Sequence, residues 1–318
     1  MPTLHVPVMP REVLEALRVM RGDIVVDATV GGGGHALLVL EKILPEGTLL
    51  GFDADQEALQ RFRERLERDD RYRSALESGH IILVHASFSE LKETLRAHGM
   101  SDVSAIVADL GFSSDQLEEA SRGFSFLRDG PLDMRLDPSK GVTAEELLRT
   151  VDEGELARIL SDFGEVRGAR ELARAIAFSR KETSFETTIQ LAEFVKSHTR
   201  DRKASIHPAT KVFQALRIAV NREREVLEKF LYEAIEMLRP KGRIAVLSFH
   251  SGEERLVKRI FLENARGCVC PRDFPVCRCG KRARLQLVTK RAMVPSETEC
   301  LENPRARSAK LRTAEKVS

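Results

Sequence analysis

The sequence predicts a doubly wound α/β protein: a mostly parallel sheet with helices on both faces, interrupted by an all-α insertion. Three observations carry this. The first hundred residues alternate short apolar runs with helical periodicity, the rhythm of strands that each return through a helix. Four consecutive glycines, Gly31 to Gly34, join the first apolar run to the first helical pattern after it. From about 113 to 205 the pattern changes to helical spacing and capping sequences, with no strand signal.

In order along the chain, strands are expected at 24–29, 47–53, 80–85 and 103–109, and helices at 10–19, 34–43, 55–68 and 88–98. Val103-Ser-Ala-Ile-Val-Ala-Asp-Leu110 is almost wholly apolar, as a strand covered on both faces requires. Inside the insertion, Thr143-Ala-Glu-Glu146, Asp152-Glu-Gly-Glu155 and Thr187-Thr-Ile-Gln190 read as helix starts. Val212, Leu216, Val220, Leu227, Leu231, Ile235 and Leu238 mark one long helix, stopped at Pro240-Lys-Gly242. Arg243–Phe249 is a fifth strand and Glu253–Glu263 its helix; 285–289 and 310–316 are an antiparallel pair at the sheet edge. The expected domains are a first part of the α/β domain at 1–112, the helical insertion at 113–208 and a second part at 209–318.

The chain has 318 residues, 42% of them hydrophobic, enough for a large core. Net charge is only +2, but residues 280–318 hold ten Lys/Arg against four Asp/Glu, leaving the rest of the chain net negative. A basic end on a near-neutral body suits a polyanionic partner. No basic segment followed by an apolar core opens the chain, and no run of 18 apolar residues occurs, so neither export nor a membrane span is expected. Four of the five cysteines lie between 268 and 279. Such clustering does not resemble a secreted disulfide framework, and a cytoplasmic protein is expected.

The glycine run is the strongest chemical signal. Without Cβ atoms the chain can turn sharply and a ligand can approach the backbone closely. Asp53 ends the second strand twenty residues after Gly33, the position from which an acid accepts hydrogen bonds from ribose hydroxyls. Asp55 reads as the N-cap of the next helix. Ligands of doubly wound folds bind beyond the carboxyl ends of the strands. Here those ends are Asp27 with Gly31–His35, Asp53, Ala86–Phe88, Asp109–Ser114 and Ser248–Ser251.

Eight motifs then carry a resemblance. They are Thr29-Val-Gly-Gly-Gly-Gly-His35, Asp109-Leu-Gly-Phe-Ser-Ser-Asp-Gln116, Arg122-Gly-Phe-Ser-Phe126, Asp129-Gly-Pro-Leu-Asp-Met-Arg135, His207-Pro-Ala-Thr210, Phe213-Gln-Ala-Leu-Arg217, Ser248-Phe-His-Ser251 and Glu302-Asn-Pro-Arg-Ala-Arg-Ser308. In this order and register, from about His5 to Lys316, the chain resembles the bacterial 16S ribosomal RNA cytosine-N4 methyltransferases, which use S-adenosylmethionine. The resemblance implies a class I methyltransferase (Rossmann-like) fold with a helical insertion. It implies that Gly33, Gly34 and His35 meet the amino-acid end of the cofactor, that Asp53 holds its ribose and Phe88 packs near its adenine, and that Asp109 and Gln116 complete its site. The implied partner is 16S rRNA of the small ribosomal subunit, in its decoding region.

The N4 of cytosine is a poor nucleophile because its lone pair is delocalised into the ring. A catalytic acceptor for its hydrogens is therefore expected, and Asp109 is the candidate, in service to substrate or cofactor. A target base must be splayed from its stack to reach a buried methyl donor. Phe124, Asp133, Arg135, Arg217 and His250 are candidates to hold it, His250 with a catalytic role. Structural roles compete: Phe124 as core, which the sequence favours over a platform, Asp133 and Arg135 as an ion pair, His250 as a helix cap. Arg122, Arg305 and Arg307 are further candidate phosphate contacts. Cys268, Cys270, Cys277 and Cys279 form a C-x-C…C-x-C array that four-sulfur zinc binding, two disulfides or free thiols would each satisfy. Two other readings compete: an NAD-dependent dehydrogenase, disfavoured because the loop lacks clean G-x-G-x-x-G spacing, and a non-catalytic RNA-binding ribosome assembly factor.

Overall fold

The structure, a computed structural model, describes residues 7–111, 119–182, 184–199, 207–271, 276 and 278–317. Clustering of backbone contacts divides the chain into two compact units, one of Pro2–Gly111 with Arg224–Ser318, the other of Phe112–Glu223.

The first unit holds a seven-stranded sheet: β1 (Ile24–Asp27), β2 (Thr48–Asp53), β3 (Ile81–His85), β4 (Val103–Asp109), β5 (Leu238–Ser248), β6 (Leu285–Leu287) and β7 (Lys310–Lys316). The order across the sheet is β3-β2-β1-β4-β5-β7-β6. The first five strands are mutually parallel, and β7 runs antiparallel to both β5 and β6. This is the doubly wound, Rossmann-like sheet that the sequence predicts, with an antiparallel strand inserted beside its last edge. The edge pair is as expected, except that β7 lies inside the sheet and only β6 forms the edge.

The central strands alternate between two apolar layers. Val25, Leu49, Ala105, Val107, Ala245 and Leu247 face helices α1 (Pro10–Leu17), α2 (Gly34–Ile43) and α3 (Gln56–Glu67). Val26, Leu50, Phe52, Ile106, Ile244 and Val246 face α5 (Leu91–Ala97), α11 (Glu223–Met237) and α12 (Ser251–Ala265). A strand covered on both faces has no polar side to display, which is why β4 reads as a continuous apolar run. Each fully buried Leu or Ile contributes about 1.5–3 kcal/mol by leaving water.

The expected helix at 55–68 is α3, and Asp55 is its N-cap: the side chain accepts hydrogen bonds from the N–H groups of Glu57 and Ala58. A second helix follows that sequence periodicity missed, α4 (Asp70–Glu77), capped by Asp69 and burying only Tyr72 and Ala75. Two buried positions over eight residues are too few to register as a period. The final helix of the sheet unit, α13 (Glu297–Glu302), is capped by Ser296.

The second unit is helical: α6 (Ala144–Thr150), α7 (Glu153–Asp162), α8 (Ala169–Ser179), α9 (Thr188–His198) and α10 (Ala209–Val220). Thr143, Asp152 and Thr187 are the N-caps of α6, α7 and α9, and Thr187 with Gln190 forms a reciprocal capping box. Leu148, Leu156, Leu160, Ile176, Leu191 and Val195 make the core, joined by Val212, Phe213 and Leu216 of α10. Pairing within the insertion is confined, among the described residues, to one isolated bridge between Pro131 and Thr187.

The long helix expected over 212–238 is instead two, α10 and α11. The break is at Arg222, whose φ of 49° is left-handed. Asn221 enforces it: its Nδ2 donates to the carbonyls of Met134 and Arg217, and its Oδ1 accepts from Leu136 N–H. Apolar periodicity runs through the break because both helices bury one face, each in its own core.

Gly33 precedes α2 with φ 77°, and a Cβ built there would lie 2.0 Å from the ring of Phe62, itself fully buried. Gly33→Ala is therefore expected to cost about 2–4 kcal/mol, combining left-handed strain with overpacking. Gly79→Ala, at φ 80° but with open space around its Cβ, carries only the strain, about 1 kcal/mol. Urea denaturation of the two variants checks the difference; equal losses would show that Phe62 yields freely.

Candidate cofactor and catalytic site

Parallel pairing brings three acidic strand ends to one side of the sheet. Asp27 pairs in register with Gly51 of β2 and Val107 of β4, so Asp53 and Asp109 lie two residues further along their strands. The loop after β1 is laced to both neighbours: Ala28 N–H donates to Val107 O and Val30 N–H to Phe52 O. Thr29 Oγ1 accepts from Asp109 N–H at 2.7 Å.

Each carboxylate is committed differently. Asp53 Oδ2 accepts from Gly31 N–H at 2.7 Å, and its Oδ1 from Asp55 N–H at 2.9 Å. The acid thus holds the glycine loop and the turn into α3 together. Burial pushes its pKa up to about 6, against the pull of those N–H groups. Asp27 is only 1% exposed. Its Oδ1 accepts from Thr29 N–H at 3.0 Å, while Oδ2 is buried without a hydrogen-bond partner among the described residues. Burial pushes Asp27 up to about 6 as well; His35 and the Thr29 N–H oppose this, and the charges of Asp109 and Asp53 add to it. Asp109 Oδ1 accepts from Gly111 N–H at 3.2 Å, and Oδ2 lies 3.5 Å from Nδ1 of His35.

His35 is buried, and its Nε2 lies 2.9 Å from the carbonyl of Val8. A carbonyl only accepts, so Nε2 carries the proton. The Nδ1–Asp109 contact is then attractive only when one of the two groups is protonated. With both ring nitrogens so directed, residue 35 offers a ligand its backbone N–H. The first-turn N–H groups of α2, from Gly34 to Ala36, have no intrahelical acceptor. Gly31, at φ 49°, would place a Cβ no nearer than 4.0 Å to any neighbour, so the loop is open on that side.

This donor set can be tested against ligand type. Two carboxylates raised by burial and mutual repulsion, one with an orphaned oxygen, favour a cationic ligand with hydroxyl donors. They disfavour a pyrophosphate, and the Gly31 N–H that would cradle one is already given to Asp53. The residues present fit S-adenosylmethionine, which carries a sulfonium, an ammonium and a ribose diol.

Phe88 opens a single 3-10 turn capped by Ser87 and packs edge-to-face on Phe230, with ring centroids 5.0 Å apart. It remains partly exposed beside the end of β3. His250 is the N-cap of α12: Nδ1 accepts from Gly252 and Glu253 N–H, and Glu253 Oε2 reaches back to Phe249 and His250 N–H. Its Nε2 lies 3.0 Å from Glu253 Oε1, at an angle that does not make a hydrogen bond. Of the two roles open for His250, the helix cap is the one the geometry displays. The spacing of Glu253 three residues on is a capping-box signature that the sequence already carried.

The remaining candidates belong to the helical unit. Asp133 and Arg135 form a bidentate ion pair, with Nε–Oδ1 at 2.8 Å and NH2–Oδ2 at 2.7 Å. Burial works to raise the Asp133 pKa, but the hydrogen bonds and charge of Arg135 outweigh it and hold the acid below its usual range. Arg217 forks onto Glu223 at 2.8 and 2.9 Å. Phe124 is buried in the helical core, which corrects the expectation of a stacking platform: its faces are covered by packing. Arg122, expected among the phosphate contacts, is also buried, and its guanidinium donates to the carbonyls of Arg135 and Leu136. Arg305 and Arg307 lie in the turn Pro304–Ser308, the second of them exposed. Gln116 and Cys277 lie outside the described residues. Sequence reasoning gave no separate role to Thr29, the first residue of the glycine motif, or to Phe62, which belongs to no recognisable spacing; both shape the loop.

Comparison with known proteins decides the family. The MraW methylase family profile matches residues 2–317. The chain belongs to the MraW methylase family. Among its relatives, the ribosomal RNA small subunit methyltransferase H of Geobacter sulfurreducens is 47% identical over 316 residues, covering 98% of this chain and 99% of that one. The proteins of the same name from Citrifermentans bemidjiense and Heliobacterium modesticaldum are 45% and 43% identical, each comparison covering 98% of both chains. The chain is thus an S-adenosylmethionine-dependent methyltransferase, as the eight motifs implied, and the dehydrogenase reading falls. No helix among the described residues is long and apolar enough to cross a membrane.

Asp27 titrates near 6 in the fold against an ordinary 3.8 for the free side chain, so the folded state binds its proton more tightly than the unfolded chain. Its contribution to stability is complete below about pH 4 and is lost as pH rises through 6, by up to about 3 kcal/mol. Asp27→Asn should flatten that loss, seen as denaturation midpoints compared between pH 5 and 7.5; an unchanged slope would mean that Asp27 is not its source. His250→Ala should cost about 1 kcal/mol in the same denaturation measurement through the lost cap, and His250→Asn, which can still cap, much less.

Proposed function

We propose that the chain transfers a methyl group to the exocyclic N4 of a cytidine in 16S rRNA of the small ribosomal subunit, in its decoding region, in the cytoplasm. The observation that carries the reaction is the Asp109 carboxylate at the end of β4, beside the glycine loop and only partly covered. The choice of RNA rests on family membership and on the relatives' names.

S-adenosylmethionine, when bound, supplies a methyl group on a sulfonium, a strong electrophile. All else falls to the chain. Gly33, Gly34 and His35 meet the carboxylate of the amino-acid end: Gly34 and His35 offer it backbone N–H groups at the start of α2, while Gly33, whose own N–H is donated to Val30 O, makes the turn that lets it approach. Asp27 and Asp53 supply the negative charge and hydroxyl acceptors that this cation requires, and Phe88 bounds the adenine; Gln116 completes this set. Asp109 accepts a hydrogen bond from the N4 amino group, which favours the pyramidal nitrogen needed for attack, and takes up its proton afterwards. His35, anchored on Val8, is a positioning residue that holds Asp109 Oδ2. In-line geometry and fixed charge supply most of the acceleration of such displacements.

Asp133, Arg135 and Arg217 of the helical unit, held by the Asp133–Arg135 and Arg217–Glu223 pairs, are the residues that hold the substrate RNA. The basic segment 280–318 attracts the RNA as a whole, so binding should weaken steeply with salt.

The test is methyl transfer from labelled cofactor to small subunits lacking the modification, followed by nucleoside analysis. N4-methylcytidine is the expected product, and a different methylated nucleoside would overturn the assignment of the base. Asp109→Ala should lower kcat by 100-fold or more, on the scale of a lost general base, about 10²–10⁴. RNA binding should persist. Retained activity would remove Asp109 from the reaction, and binding without any transfer by the native chain would favour the assembly-factor reading.

A further inference from the structure

The segment between α12 and β6, residues 266–284, holds Cys268, Cys270 and Cys279. None of its described residues lies in a helix or strand. Its ends are tied down: Arg284 N–H donates to Asn264 O at 2.8 Å, and Lys281 Nζ to Glu263 O at 2.8 Å. Between these ties Val269 and Val276, 56% and 70% exposed, contribute no buried apolar anchor to the loop. Irregular segments of this length inside a domain need another source of order.

The thiols supply one. The sulfurs of Cys268, Cys270 and Cys279 all lie within 4.8 Å of one another. Cys268 and Cys279 are separated by 3.7 Å, well beyond the roughly 2.05 Å of a disulfide bond. That separation matches the edge of a sulfur tetrahedron around an ion with metal–sulfur bonds of about 2.3 Å, which is about 3.8 Å. Backbone N–H groups point at the same atoms: Val269 at Cys279 Sγ (3.5 Å), Cys270 at Cys268 Sγ (3.4 Å) and Arg278 at Cys270 Sγ (3.3 Å). Each of the three sulfurs thus receives a backbone donor. Such contacts stabilise thiolates over thiols and are the outer-shell support that metal-bound sulfurs use.

We propose that Cys268, Cys270 and Cys279 bind one zinc ion that braces this loop against α12. Three converging sulfurs select a thiophilic, tetrahedral ion over the oxygen-seeking magnesium or calcium. The site is structural. It lies on the connection between α12 and β6, and its residues take no part in the proton chemistry of Asp109. By cross-linking the loop, the ion holds Arg278, Lys281 and Arg282 in a fixed array on the basic end of the chain.

The test uses the full chain, purified under reducing conditions without chelator. Metal analysis should find about one zinc per chain, and replacement by Co²⁺ should give the sulfur-to-cobalt charge-transfer bands of tetrahedral thiolate coordination. Cys268→Ser and Cys270→Ser should lose the metal while keeping circular dichroism and cofactor binding. Cys300→Ser, in α13 and outside the cluster, should keep it. Trypsin should cut at Arg278, Lys281 and Arg282 several-fold faster in the serine variants or after chelation, with the sheet unit intact. Absence of zinc from the native chain, an iron–sulfur absorption spectrum, or a disulfide between these cysteines in the non-reduced mass would each overturn the proposal. So would equal trypsin rates with and without zinc.

Discussion

Burial of acidic strand ends beside a glycine loop is the constraint around which the sheet unit is organised. Parallel pairing of β2, β1 and β4 forces Asp27, Asp53 and Asp109 to one end of the sheet. Water is largely excluded there, so burial pushes Asp27 and Asp53 up to about 6, and the charges of neighbouring acids add to it. The fold offsets this by giving Asp53 two backbone N–H donors, Asp27 one and Asp109 one. What is left unsatisfied, above all Asp27 Oδ2, is a standing demand for positive charge. A cationic cofactor answers that demand in a way that a dinucleotide does not.

The same bonds explain how the loop keeps its shape. Gly31 is held by Asp53 and Gly33 is packed on Phe62, so the turn is gripped from both sides before any ligand arrives. His35 then ties α2 to the N-terminal segment through Val8 and reaches Asp109 with its other nitrogen. Loop, strand end and helix start therefore form one hydrogen-bonded unit. Preorganisation of this kind matters most for a displacement reaction, where geometry contributes more than any single acid or base.

The helical unit follows a different logic. Its charged candidates are spent on internal geometry: Arg122 on backbone carbonyls, Arg135 on Asp133 and Arg217 on Glu223. Such pairs are worth little as isolated stabilisers, because desolvation offsets attraction. Their value lies in orientation, since a guanidinium fixed by a fork presents its other donors in one direction.

The sequence alone determined the strand order along the chain, the parallel sheet, the helical insertion, the glycine loop and the identity of the strand-end acids. These are local or periodic properties, legible because an apolar strand between two helix layers or a Thr-x-x-Gln cap needs only its own residues. The family, too, was legible, since eight ordered motifs cannot agree by accident. Tertiary structure decided the rest. Asn221 splits one apolar periodicity into two helices through bonds to residues 134 and 136, and no local signal announces partners so distant. Phe124 read as core or platform and Arg122 as a phosphate contact, and both are interior, because burial depends on what packs above a residue. His250 read as catalyst or cap, and only the positions of the Gly252 and Glu253 N–H groups favoured the cap. Spacing alone did not say which sulfurs of the cysteine array converge, because it sets which atoms can meet and only folding sets how far apart they stay.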